Sequence, residues 1–543
     1  MKSVGFAAPP SRCAMRDRGF GSVLQFMQKC AKRPVYALLG VAALVAGCST
    51  LQPSPSPLPV ASRSSADPVQ LIDRITWGAN PSLLREVMQQ GIDHYLAAQL
   101  KPAPGSDLPP AIQAQISAMT IEQQPLATLA GGIDQQRRNV NAIKDEKERS
   151  SARQAYQQEL ARLGREASTR TLLRAVYSTK QLREQMTWFW FDHFNVYQNK
   201  NVVRALIGDY EDRAIRAHAL GRFSDLLRAV VYHPAMLLYL DNAQNASGRI
   251  NENFARELME LHTLGVDGGY SQSDVQELAR ILTGVGINLR NEEPRVRREL
   301  RTQYVRNGLF EFNPNRHDYG DKQFLGQLVR GSGLKEVDEA IDRLARHPAT
   351  ARFVSRKLAL YFVSDEPSPA LITQLAAEFT RSDGDIASTL AALFNSAEFT
   401  ASLGRKFKDP VHYVVSAVRL AYDDSAISNA APMINWLNRM AQPLYGRQTP
   451  DGYPLTADAW TSPAQMATRF EIAKAIAAGG GRLFRGEGSE AVERPATPQL
   501  SNLVFHQSLQ PRLSLATRKA LDEAGSELEW NTYLLASPEF QNR

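Results

Sequence analysis

The sequence predicts an all-α fold, a large multi-helical single body with long irregular loops, and three observations support this prediction. Apolar residues recur at the i, i+3, i+4, i+7 spacing of a helix face in most stretches after residue 69. Several stretches begin with a polar cap followed by proline, as at Asn80-Pro81 and Ser462-Pro463. No β-rich region of any length is evident. We therefore expect one helical domain over residues 69–543.

The segment before this body has the pattern of a secretion signal. Basic residues precede an apolar run at 35–46, which is shorter than the ~20 residues of a membrane span. The run ends in LVAGC at Cys48, which resembles the lipobox of bacterial lipoproteins. We expect residues 1–47 to be removed and Cys48 to be acylated, and a start at Met27 would give a conventional signal. An uncleaved N-terminal anchor is the alternative.

Residues 48–68 are rich in proline and serine, a composition that favours an extended tether over a packed core. Ser49 follows the lipidated position, and by resemblance to other lipoproteins this predicts sorting to the outer membrane. The other two cysteines, Cys13 and Cys30, precede Cys48, so the mature body has no disulfide and no cysteine nucleophile.

The charge distribution argues against a nucleic-acid partner. The whole chain carries a formal charge of +7, but seven basic residues and only one acidic residue precede Cys48. The body is therefore almost neutral and has no global basic footprint.

A predicted helical hairpin at 249–284 is the centre of the chain. Its first helix, expected over 251–264, places Glu257 and His262 within an apolar arc. A carboxylate in such a position needs a partner, because burying it unpaired costs several kcal/mol. The second helix begins at Ser271, with Asp274 three residues later in the spacing of a capping box.

Two further regions carry candidate chemistry. The helix expected over 178–195 is aromatic on nearly every face and encloses His193, either as a core histidine or as a site histidine near Glu257. In the polar loop at 312–322, His317 and Asp318 are adjacent, which suits metal binding or acid–base work as well as simple turn stabilisation.

Charge is also concentrated locally. The stretch 135–170 predicts a charged, solvated helical arm held by i, i+4 pairs. A basic cluster follows the hairpin, and it is either a solvated loop or a contact for phosphate or lipid headgroups. Its members are Arg290, Arg295, Arg297, Arg298, Arg301 and Arg306.

Several phrases together resemble a bacterial family catalogued only as domain of unknown function 1800. In chain order they are WFWFDHFNV, GRINENFARELMELHTLG, NRHDYGDKQFLG, HPATARFVSRKLALYFVSD, TPDGYP and LASPEF. The resemblance implies a secreted or envelope-bound, largely helical protein, often encoded beside a partner of the unknown-function 1501 family. It brings no established catalytic residue, and it implies phenylalanine at position 262 in many relatives. The candidate site residues are therefore Glu257, Glu260, His193, His317 and Asp318.

Two functions remain open on this reasoning. The sequence lacks the nucleotide, haem, zinc-protease and serine-hydrolase motifs, so cofactor and metal are unknown. The favoured hypothesis is an envelope-anchored binding or assembly protein that acts with a secreted partner, in which Glu257 pairs with Arg256 or Arg280. The alternative is a periplasmic or surface hydrolase-like enzyme with a His/carboxylate pocket, with or without a metal.

Overall fold

The computed structural model of the protein describes residues 67–290, 292–486 and 497–543. The predicted signal at 1–47, the start at Met27 and the lipidated Cys48 lie outside the described residues, as does almost all of the tether. The body itself is mostly helical. Its first helix begins at Pro68, where the Asp67 carboxylate accepts a hydrogen bond from the Val69 amide at 2.9 Å.

The described helices, numbered in chain order, follow the predicted pattern of short amphipathic segments joined by loops. They are α1 Pro68–Ile75, α2 Pro81–Gln90, α3 Ile92–Leu100, α4 Pro110–Ser117, α5 Thr120–Gln123, α6 Leu126–Ala142, α7 Glu146–Tyr177, α8 Gln181–His193, α9 Val203–Asp209, α10 Phe223–Tyr232, α11 Pro234–Tyr239, α12 Asn253–Glu260, α13 Gln272–Ile281, α14 Leu334–Ala345, α15 Pro348–Phe362, α16 Pro369–Arg381, α17 Ile386–Phe394, α18 Ala397–Ser402, α19 Pro410–Tyr422, α20 Ala431–Arg439, α21 Pro463–Ala477, α22 Gln510–Arg512, α23 Leu515–Asp522 and α24 Glu527–Ala536.

Local capping chemistry explains where many of these helices begin. The capping box predicted at Ser271 and Asp274 is confirmed at the start of α13. His233 and His347, each followed by Pro-Ala, are also N-caps, since each ring Nδ1 accepts a hydrogen bond from the second following amide, at 3.1 and 3.2 Å. An N-terminal amide that lacks an intrahelical partner is satisfied in each case.

The strictly all-α prediction is wrong between α13 and α14, where five short strands form. They are β1 Val285–Ile287, β2 Val305–Asn307, β3 Phe310–Phe312, β4 Lys322–Phe324 and β5 Gln327–Val329. The first three make an antiparallel sheet in the order β1-β3-β2, and the last two make a hairpin. Each strand has three residues, too few for an alternating pattern to be recognised.

Two helical predictions also need correction. The helix expected over 251–264 is shorter, because α12 ends at Glu260 and His262 lies in the turn that follows. The charged arm expected over 135–170 is two helices, α6 and α7, and the C-terminal half of α7 is buried rather than solvated. Arg170, near the end of that stretch, is 2% exposed and pairs with Glu122 at 2.5 Å.

One buried arginine ties distant parts of the body together. Arg74 of α1 is fully buried, and its guanidinium donates to the carbonyl oxygens of Phe362, Val363, Ser402 and Arg543. It also donates to Ser402 Oγ at 2.9 Å. The Arg543 side chain is buried too and donates back to the Arg74 carbonyl at 3.2 Å. We call this set the Arg74 clamp, and it joins the first described helix to the last residue.

Within the described part of the chain, every helix is too short or too polar to cross a membrane.

Candidate functional site

Three helices and one loop bring a set of titratable side chains together. This set, which we call the Lys357 cluster, comprises Asp192 and His193 of α8, Glu257 and His262 of α12 and its following turn, Lys357 of α15, and Asp451 of loop 443–454. The members influence one another electrostatically, since the Lys357 charge acts on Asp192 and on both histidines, and Asp451 acts on Glu257.

The loop is held against the end of α8 by hydrogen bonds from buried groups. The side-chain amide of Asn195 donates to the carbonyl oxygens of Arg447 at 3.0 Å and Thr449 at 2.8 Å. The Tyr453 amide donates to Asp192 Oδ1 at 2.6 Å. These contacts join residues more than 200 positions apart, so they fix the loop relative to the helices of the cluster.

The close approach of the loop to α8 depends on Gly452. Its φ is +78°, a conformation that side chains with a Cβ rarely adopt. A Cβ at this position would lie 2.2 Å from the Asp192 carbonyl oxygen. Glycine is therefore required here for two independent reasons.

The two histidines form the buried floor of the cluster. His193 is 1% exposed and its Nε2 donates to the His262 carbonyl oxygen at 3.0 Å, which leaves Nδ1 without a partner in the described structure. Neither ring nitrogen of the fully buried His262 has a well-formed hydrogen bond among the described residues, although a backbone contact with Pro450 opposes the fall in its pKa. Burial and the nearby Lys357 lower the pKa of His193 well below its usual value and that of His262 to about 3. Both rings are therefore neutral near pH 7.

Asp192 and Lys357 have pKa values that burial shifts toward each other. Burial raises the pKa of Asp192 to about 7, although the Tyr453 amide and the Lys357 charge oppose the shift. Burial lowers the pKa of Lys357, against the influence of Asp192 and Asp451. Lys357 Nζ lies 5.7 Å from the centre of the Phe353 ring and forms no ion pair in the described part of the chain.

Glu257 lies at the outer edge of the cluster and differs from its prediction. It is half-buried rather than buried, and it forms neither an ion pair nor a side-chain hydrogen bond among the described residues. The expected pairing with Arg256 is wrong, because Arg256 pairs with Glu252 at 3.1 Å and Glu260 at 3.5 Å. Partial burial and the neighbouring Glu260 raise the pKa of Glu257.

His317 belongs to a separate buried network. Its Nδ1 donates to the Thr283 carbonyl oxygen at 2.7 Å, and its Nε2 to Glu336 at 2.6 Å. Lys322 Nζ donates to the same Glu336 carboxylate at 2.5 Å, and all three ionisable side chains are 0% exposed. Backbone amides at the start of α14 complete the carboxylate's partners. This arrangement fastens β4 and the 312–322 loop to α14.

Asp318 lies beside this network and forms an ion pair with Arg280. Its carboxylate accepts from Arg280 Nε at 3.0 Å and Nη2 at 3.2 Å, and the Arg280 charge lowers the pKa of Asp318. Arg280 also pairs with Glu277 at 2.9 Å. The expected pairing of Arg280 with Glu257 is therefore wrong as well.

The predicted site residues thus fall into two groups. His193 and Glu257 belong to the Lys357 cluster, with Glu260 next to Glu257 on α12, whereas His317 and Asp318 lie in the network at α14. No hydrogen bond, ion pair or ring contact among the described residues joins His193 to His317.

Sequence reasoning missed three members of the cluster. Asp192 directly precedes His193, and Asp451 lies within the TPDGYP phrase. Both residues therefore belong to sequence motifs that had already been recognised. Lys357 follows Phe353 by four residues on α15, which places the ammonium on the same helix face as an aromatic ring.

No group of three or more His, Cys, Asp or Glu residues within the described ranges could hold a metal ion. The family described as "Protein of unknown function (DUF1800)" matches residues 70–542 of the chain. No curated protein matches the chain. No solved structure matches it either.

Proposed function

We propose that the chain, which belongs to the DUF1800 family of proteins of unknown function, is an envelope-anchored protein. In this proposal it binds a secreted partner through the Lys357 cluster. The observation that carries the proposal is that Glu257 and Lys357 lie around one loop and both lack an ion partner in the described structure. A half-buried charge has lost part of its hydration, so it gains most when a partner supplies the opposite charge.

The chemistry of the two groups specifies the partner's surface. Glu257 would receive a basic side chain, and Lys357 would receive a carboxylate. The loop that carries Asp451 is already fixed to α8, so little ordering is needed when the partner binds. A secreted protein of the unknown-function 1501 family is the first candidate.

Anchoring completes the proposal. Acylation of Cys48 would hold the body at the outer membrane, with residues 48–68 as a spacer. Replacing the thiol tests this step alone. In membrane fractionation, Cys48→Ser should move the protein from the membrane to the soluble fraction, and unchanged attachment would contradict acylation.

The binding step is tested with the purified full chain and the purified 1501-family protein encoded by the same host. We expect Lys357→Met and Glu257→Gln each to raise the Kd by about tenfold, because each removes one interfacial charge pair. Lys335→Met and Glu293→Gln are matched controls, since both residues are exposed and form no ion pair among the described residues. Failure of the wild-type chain to bind, or equal binding by all variants, would rule out this interface.

A hydrolase-like activity is the second candidate function, and one observation favours it. The pKa of Asp192 is raised to about 7, so near neutral pH its carboxyl group would accept or donate a proton beside Lys357. His193 and Glu257 are the sequence-predicted members of that pocket. Hydrolysis of a panel of ester and glycoside substrates that is lost in Asp192→Asn but kept in Glu293→Gln would favour the enzyme over the binding protein.

A further inference from the structure

We infer that a second site, separate from the Lys357 cluster and independent of the proposed function, binds a phosphate group. It is a cleft of about 740 Å³ between α6 and one side of the three-stranded sheet, where the segment after β1, strand β2 and the β2–β3 turn lie. Residues of α6 spaced along one helix face form one wall, and Asn288 to Arg290, Arg306 and Leu309 form much of the other. Three arginines line the two walls of the cleft, Arg138 on α6 and Arg290 and Arg306 opposite it.

Two adjacent glycines in the interior of α6 create the floor of the cleft. Glycine costs about 1 kcal/mol relative to alanine within a helix. Neither Gly131 nor Gly132 has a positive φ, and an added Cβ would meet only the Leu289 carbonyl oxygen at 3.7 Å in the first case and nothing within 4 Å in the second. Packing therefore does not require these glycines. Their lack of side chains leaves the cleft open along this wall.

The charge of the cleft is not neutralised from within. Arg306 donates to two carbonyl oxygens, those of Gly308 at 3.3 Å and Arg290 at 3.0 Å, rather than to a carboxylate. Arg290 forms no ion pair among the described residues. Arg138 contacts the Asp134 carboxylate, but Asp134 also pairs with Arg137 at 2.7 Å, so one acid serves two guanidinium groups. Three arginines therefore line the cleft against one acid of the lining, Glu292, while the neighbouring Glu311 carboxylate accepts from Asn288 at 2.8 Å.

This donor set suits a phosphate group. Guanidinium groups match its oxygen atoms in pairs, and the Thr128 hydroxyl and Gln135 amide on the α6 wall add neutral donors. The cleft holds more than one such group, so a phosphate ester fits as well as the free ion. A phospholipid headgroup and a soluble phosphate share this chemistry.

The test measures binding to the purified full chain in detergent by isothermal titration calorimetry. The probes are inorganic phosphate and dihexanoyl phosphatidylglycerol below its critical micelle concentration. The proposal expects at least one probe to bind, and the tighter of the two identifies the source as free phosphate or headgroup. Absence of binding by both probes overturns it.

Variants distinguish the cleft from the general basicity of this region. Arg290→Ala/Arg306→Ala should raise the Kd by about tenfold or more. Arg295→Ala/Arg298→Ala is the matched control, because it removes the same charge from exposed arginines that do not line the cleft. Equal losses in the two double variants would overturn the site in favour of long-range attraction.

A third variant tests the floor without changing charge. In Gly132→Leu the new side chain extends from a helix position with open space around its Cβ, so the melting temperature should not fall. The Kd for the bound probe should rise by about fivefold because the cleft is partly filled. An unchanged Kd in the folded variant would overturn the cleft as the binding position.

Discussion

Replacement of Arg74 by methionine should destabilise the whole body, because six hydrogen bonds of a fully buried guanidinium disappear together. Two of the acceptors keep another partner, since the carbonyl oxygen of Ser402 also accepts from Arg405 and that of Arg543 from Lys406. The carbonyl oxygens of Phe362 and Val363 lose the guanidinium, with the bonds at 2.6 and 3.3 Å. Arg74→Met thus leaves two weakened acceptors and no charge to bury.

The magnitude follows from this count. A buried acceptor without its partner costs about 1–3 kcal/mol, so two acceptors cost about 2–6 kcal/mol. Relief of guanidinium desolvation offsets part of this cost, since burial, reinforced by the Arg543 charge, lowers the pKa of Arg74 to about 9. We therefore expect a net loss of about 3 kcal/mol, a large share of the 5–15 kcal/mol that stabilises a typical protein.

Urea denaturation followed by far-ultraviolet circular dichroism measures this loss as a shift in midpoint. Arg85→Met is the matched control, because the Arg85 side chain is 57% exposed and its contact with Asp423 is 3.7 Å. Surface pairs of this kind contribute about 0–1 kcal/mol. A loss below about 1 kcal/mol for Arg74→Met, or one no larger than that of the control, would refute the assigned role of the clamp.

Three further predictions concern the cluster and the α14 network. His262→Phe should raise stability by about 1–3 kcal/mol, because two buried ring nitrogens without well-formed hydrogen bonds are removed. It should also flatten the acid side of the stability profile. The folded pKa of His262 is about 3 against an ordinary value of 6.5, so between these pH values the unfolded chain binds a proton that the folded protein excludes. Stability therefore falls as pH drops from 6.5 toward 3, by about 1.4 kcal/mol per pH unit. Urea midpoints at pH 7 and pH 5 measure both effects, and a parallel loss in wild type and variant would contradict the linkage. Glu336→Gln should cost about 3–5 kcal/mol by leaving a buried cation unpaired, whereas Glu339→Gln on the same helix should cost under about 0.5 kcal/mol; equal midpoints in urea would show that the network is not structural. Gly452→Ala should lower the melting temperature by several degrees, since φ is +78° and the new Cβ meets the Asp192 carbonyl oxygen; an unchanged scanning-calorimetry transition would mean that the loop yields freely.

Helix starts were predictable because their causes are local. The Ser271–Asp274 capping box and the caps at His233 and His347 depend on residues two or three positions away. The strands were not predictable from the sequence. Strand β3, for example, forms because it pairs with β1 on one side and β2 on the other, and its own three residues carry no recognisable pattern. Their register is a tertiary property.

The candidate site was predictable only in part for the same reason. The aromatic surroundings of His193 follow from one helix, and its burial is confirmed. The partners of Glu257 could not be inferred, because a helical wheel assigns a face but not the neighbouring segment. Lys357 and Asp451 come from segments about 100 and 200 residues further along the chain, and no local pattern connects them.

The attachment of loop 443–454 to α8 has a consequence for biosynthesis. The hydrogen-bond partners of Asn195 and Asp192 are synthesised more than 250 residues after them. A nascent chain shorter than about 450 residues therefore cannot contain the assembled cluster. Contacts of such sequence separation close slowly, because a long loop must be ordered before they form. Truncated products that end before loop 443–454 would therefore carry the helices without the assembled Lys357 cluster.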